Sequence, residues 1–123
     1  MSAKALILFA HGARDPRWKS PFEQLQQLSS AALPQAKVRL AFLELMTPQL
    51  PETVASLVAE GCSDITIVPV FLGQGGHVLR DLPLLIEELR LQYPTLGITV
   101  AAAVGESPDV LQAITGYCVA SMA

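Results

Sequence analysis

The sequence predicts an α/β fold built on a parallel sheet, and three observations carry that expectation. Four short apolar runs rich in β-formers recur at 5–10, 38–45, 65–72 and 98–104. A segment of helical periodicity follows each of them, and strand-helix alternation of this kind is the mark of βαβ units. The runs are apolar on nearly every residue, as in strands covered by helices on both faces, so the sheet should be doubly wound.

The elements follow in order. Ser20, Pro21 and Glu23 read as a capping box with proline in the first helical turn, ahead of Phe22, Leu25 and Leu28 on one face. Residues 11–20 are then a loop. Thr47 and Pro48 open the second helix, whose stripe is Val54, Leu57 and Val58 and whose stop is Gly61. Asp81 reads as the cap of the third helix, because Pro83 suits a first turn and would break a helix begun much earlier. That places His77 in a loop. Ser107 and Pro108 start the last helix, where Val110, Leu111, Ile114 and Cys118 form the face expected to be buried.

At 123 residues the chain suits a single domain, 1–123, with one core. The net charge of -3 gives no long-range attraction for nucleic acid or an anionic membrane. No run reaches the roughly 20 apolar residues of a membrane span, so the chain reads as soluble and cytoplasmic. Cys62 and Cys118 have neither metal-site nor disulfide-scaffold spacing and read as reduced packing residues. Charged residues are only 15% of the chain, which leaves apolar surface for a ligand or partner.

Ligands of doubly wound sheets bind beyond the carboxyl ends of the strands, which directs attention to 11–20, 44–47, 73–81 and 104–107. The only two histidines both fall there. His11 follows the first strand in FAHGARD, and His77 follows the third in VFLGQGGHVLRD. Glu44 interrupts an otherwise buried-looking strand, so it is a salt-bridge partner for an arginine, a metal ligand or a proton acceptor. With strand order 2-1-3-4 the three residues come from adjacent strands about 4.8 Å apart and can surround one ion. Two imidazoles and a carboxylate suit cobalt, iron, nickel or zinc better than magnesium or calcium. Arg14, Arg17, Lys19 and Arg80 form a basic rim able to receive carboxylates, and the backbone N–H groups around Gly75 and Gly76 can meet an anion. The glycines match neither a Walker A motif nor the Rossmann fingerprint.

The order HGARDPR, AFLELMTPQLPE and IVPVFLGQGGHVLRDLP resembles the class II tetrapyrrole chelatases, specifically the small CbiX-type sirohydrochlorin cobaltochelatases and the related sirohydrochlorin ferrochelatases. The resemblance covers nearly the whole chain. It implies a chelatase-like fold and insertion of a divalent metal, cobalt first, with iron or nickel as alternatives, into a sirohydrochlorin-type tetrapyrrole. The metal is then a substrate and no permanent cofactor is implied. His11 and His77 map onto the metal-handling histidines and Glu44 onto an assisting acidic position, with Arg14, Arg17 and Arg80 as anchors for the carboxylate rim. Larger relatives pair two such domains across a cleft, so a homodimer is expected here. Two other readings compete: a non-catalytic metal or tetrapyrrole carrier, and a histidine phosphatase. The second lacks its arginine, because Ala10 precedes His11.

Overall fold

The computed structural model describes residues 3–73 and 75–123, with the side chains of His77 and Leu79 outside that description. The strands are β1 (Ala3–Ala10), β2 (Ala36–Phe42), β3 (Cys62–Pro69) and β4 (Gly97–Val100), and the helices are α1 (Ser20–Ala32), α2 (Leu50–Ala59), α3 (Gly76–Gln92) and α4 (Pro108–Ser121). All strand pairs are parallel, in the order β2-β1-β3-β4 expected from the sequence. The strands stop before the apolar runs do. Beyond Pro69 the chain still buries Phe71 but exposes Leu72.

Alternation along the strands sends side chains to two unequal layers. Ala5, Ile7 and Phe9 of β1, with Ile65, Ile67 and Ile98, pack under α2 and α3. Leu8 and Ala10, with Val38, Leu40 and Phe42, pack on the other face, where Trp18, Phe22 and Leu25 cover them. Trp18 and Phe22 stack with ring centroids 4.4 Å apart. Glu60 at the end of α2 accepts from Lys37 at 2.7 Å and Arg39 at 2.9 Å, which ties that helix to β2. The hydrogen bond from Lys37 holds the Glu60 carboxyl below its ordinary range against a smaller desolvation effect.

Four local readings need correction. Ser20 is not a cap: a 3-10 turn at Pro16–Lys19, capped by the Asp15 side chain, runs straight into α1, and Leu28 faces solvent. The second helix begins at Leu50, where Gln49 and Glu52 close a capping box. The third begins at Gly76, so Asp81 lies within it and His77 is in its first turn. Its stripe of Val78, Leu82, Ile86 and Leu89 is buried on both sides of Pro83. That burial outweighs the roughly 3 kcal/mol an interior proline costs. Lastly, α4 starts after Ser107 as expected but buries no residue, and Cys118 is exposed whereas Cys62 is buried.

Candidate metal-handling site

The carboxyl edge of the sheet brings two of the predicted residues into direct contact. His11 leaves the end of β1, and pairing with β2 continues past the strand: Leu43 N–H donates to Ala10 O at 2.9 Å and Glu44 N–H to His11 O at 3.1 Å. Glu44 is thereby carried alongside His11, and Oε1 lies 3.0 Å from His11 Nε2. Both side chains are a little over 40% exposed. Glu44 is therefore not the buried partner of an arginine. The sequence placed it inside a strand, whereas β2 has already ended two residues earlier.

Gly12 makes this closeness possible. Its φ is +98°, and a Cβ built there would lie 1.8 Å from the Glu44 carbonyl oxygen. Any side chain would both strain the backbone and push the 44–46 turn away. Across the pair, the Phe71 ring meets the His11 imidazole edge-on at 6.4 Å and Phe9 at 5.8 Å, which restricts the ring's orientation.

A second glycine fixes the segment that leads to His77. Gly105 N–H donates to Phe71 O at 2.9 Å, and a Cβ at Gly105 would lie 1.8 Å from Leu72 O. Sequence reasoning passed over both Gly105 and Phe71. Their signal was position alone, since each follows a strand at the edge already singled out.

The remaining candidates are spread along the rim. Gly75 caps α3 in an extended conformation and Gly76 is its first residue. Arg14 is exposed on the first loop. Arg17 is bound to Asp15 through Nε and Nη2, the latter at 2.7 Å. That pairing lowers the Asp15 carboxyl and raises the guanidinium. Arg80 is exposed in α3, its Nε 3.8 Å from Asp81. The His77 backbone stands in the first turn of α3, but the expected role of its imidazole lies outside the described residues. Among the described residues no three His, Cys, Asp or Glu side chains form a metal cage. Two surface depressions, one beside Arg39 and Thr53 and one beside Leu82 and Arg90, lie away from the pair. They do not touch the chemistry.

Chemically, the pair sets an imidazole nitrogen beside a carboxylate oxygen, two donors that could hold an ion together. Two ligand atoms each about 2.1 Å from an ion and at right angles are about 3.0 Å apart, the separation seen between Nε2 and Oε1. An ion held there would take the place of the hydrogen bond between them.

These features define the class as a parallel α/β protein with its polar groups gathered at the carboxyl edge of the sheet. The CbiX family model matches residues 5–116, and the chain belongs to the CbiX family. It is 30% identical over 106 residues to a sirohydrochlorin cobaltochelatase of Saccharolobus solfataricus, covering 81% of each chain. A sirohydrochlorin cobaltochelatase of Methanococcus aeolicus is 35% identical over 80 residues, 65% of this chain and only 56% of that relative. Among solved structures, the CbiX protein from Marinobacter aquaeolei superposes with a TM-score of 0.85 at 30% identity over 97% of both chains. The sirohydrochlorin chelatase SirB from Bacillus subtilis, solved with cobalt, shares the fold at a TM-score of 0.80 and 23% identity. There this chain spans 93% of its own length and 49% of the other's. No helix among the described residues is long and apolar enough to cross a membrane.

Proposed function

We propose that this chain inserts a divalent metal, cobalt first, into sirohydrochlorin, with the metal as substrate. The observation that carries the reading is the 3.0 Å contact between His11 and Glu44 at the open carboxyl edge, in a chain of the CbiX family. Insertion releases two pyrrole protons for each ion taken up. His11 displaces water from the ion as a neutral imidazole and holds a borderline metal weakly enough to let it go. Glu44 offers the ion a negative oxygen and, once the ion has moved on, accepts one pyrrole proton, while the vacated imidazole of His11 accepts the other. His77 completes the set from the first turn of α3. Arg14, Arg17 and Arg80 meet the carboxylates of the macrocycle, Arg17 by exchanging its exposed pairing with Asp15 for the ligand. The backbone at Gly75 and Gly76 comes close to the ring. One domain, residues 1–123, forms one wall, and a second copy supplies the other. The reaction belongs to the cytoplasm.

The test is anaerobic turnover of sirohydrochlorin with Co²⁺, followed by the change in the macrocycle's absorption. Insertion well above the uncatalysed rate supports the reading. Tight binding of metal or tetrapyrrole at the uncatalysed rate would make the chain a carrier.

A further inference from the structure

Among the described residues, Leu45 alone has a left-handed backbone without being glycine, at φ +66°. It is the centre of a three-residue turn that Met46 N–H closes on Glu44 O at 2.8 Å. Such a turn is rare, because a positive φ brings a Cβ too close to the backbone. Glycine or asparagine would occupy it more easily. Packing does not explain the leucine either, since Leu45 is 54% exposed while Met46 beside it lies against the core. A strained backbone that presents an apolar side chain to solvent points to function rather than to folding.

The other side of the site repeats the arrangement. Beyond β3 the buried Phe71 ring meets His11 edge-on, and the next residue, Leu72, is 66% exposed. β1 lies between β2 and β3, so the chains that carry Leu45 and Leu72 leave the sheet on opposite sides of His11, two strand spacings or about 10 Å apart. Each stands on seated backbone. Gly12 packs against the Glu44 carbonyl ahead of Leu45, Gly105 packs against the Leu72 carbonyl, and neither glycine has room for a Cβ. A single exposed leucine needs no explanation. Two of them, held on fixed backbone to either side of one polar pair, do.

We infer that Leu45 and Leu72 are positioning residues that hold the apolar face of the macrocycle from two sides and centre it over the His11–Glu44 pair. The inference rests on the chelatase reading above and adds the residues that meet the face of the ring, whereas the arginines meet its charged rim. Leucine suits that task. Its methyl groups displace water from a conjugated face and offer no donor atom to compete for the metal. Backbone that is already fixed loses little freedom when the ring lands. A flat ring lying across both leucines brings its centre over His11, which lies between them.

The test is a fluorescence titration with sirohydrochlorin, run beside urea denaturation. Leu45→Asn and Leu72→Ser should each weaken binding about tenfold, the loss expected when one leucine side chain is no longer covered by the ligand. Leu45→Met should keep wild-type affinity. Leu45→Asn should also unfold at no lower urea than wild type, because asparagine accepts the left-handed turn. Wild-type affinity in a folded Leu45→Asn or Leu72→Ser protein overturns the inference, and so does marked destabilisation by Leu45→Asn, which would give Leu45 to the fold. Should Leu45→Asn fail to fold, Leu72→Ser decides the matter for the second leucine, whose φ is not left-handed. Turnover by the wild type separates the two readings. If it inserts cobalt and both variants bind sirohydrochlorin normally, only the role of the leucines falls; if it neither binds nor metallates sirohydrochlorin, the chelatase reading falls first.

Discussion

The two segments beside the histidines use glycine for opposite reasons. In the first, Gly12 is demanded by the fold: its φ is positive and its missing Cβ leaves room for the Glu44 carbonyl. In the second, Gly73, Gly75 and Gly76 have no such constraint. A Cβ at any of them would meet nothing within 4 Å, and none has a positive φ. The first loop is a finished structure that holds His11 to Glu44. The second has open space at each of its described glycines, which supports the proposed close approach of a flat ligand.

That contrast can be broken most forcefully at Gly12. Gly12→Ala should destabilise the fold by about 2 kcal/mol or more through strain and displacement of the 44–46 turn. It should also abolish measurable insertion, as checked by urea denaturation together with the turnover assay. A stable, active Gly12→Ala protein would show that the His11–Glu44 contact does not depend on the close approach.

Glu44→Gln removes charge and keeps shape. The fold should survive, because the carboxylate is half-exposed, while single-turnover insertion should fall roughly 100-fold, the low end of general acid–base effects. Unchanged rates would make the contact structural. Gly76→Ala should act in the reverse sense to Gly12→Ala. Stability should rise by a few tenths of a kcal/mol up to about 1, since alanine favours the first turn of α3. The tetrapyrrole should bind several-fold more weakly in a fluorescence titration. Unaltered affinity would leave that glycine without a role toward the ligand.

Much of the fold was legible because burial on both sides leaves continuous apolar runs, which marked the four strands, and the strand-helix alternation marked their parallel pairing; the order 2-1-3-4, assumed for such a sheet, is the one observed. The carboxyl edge was legible as well, since His11, Glu44 and the glycine-rich segment all follow strands. What the sequence hid has physical causes. Pro83 points to a late helix start, yet the stripe from Val78 to Leu89 buries enough to carry the helix through it. Glu44 reads as a strand residue because Leu43 and Leu45 flank it, although β2 ends at Phe42. The apolar pattern of α4 says that it should be covered but not by what. Gly105 went unread because its reason is a contact with the backbone of Leu72, far away in the chain.

The most direct test of metal handling is a double-mutant cycle on the histidines. Single-turnover cobalt insertion into sirohydrochlorin would be measured for His11→Ala, His77→Ala and the double variant, with circular dichroism as the folding control. If both imidazoles serve one ion, each single change should cost on the order of 100-fold, and the double should cost far less than the product of the two. Wild-type rates in a folded double variant would contradict the account and leave family membership as its only support.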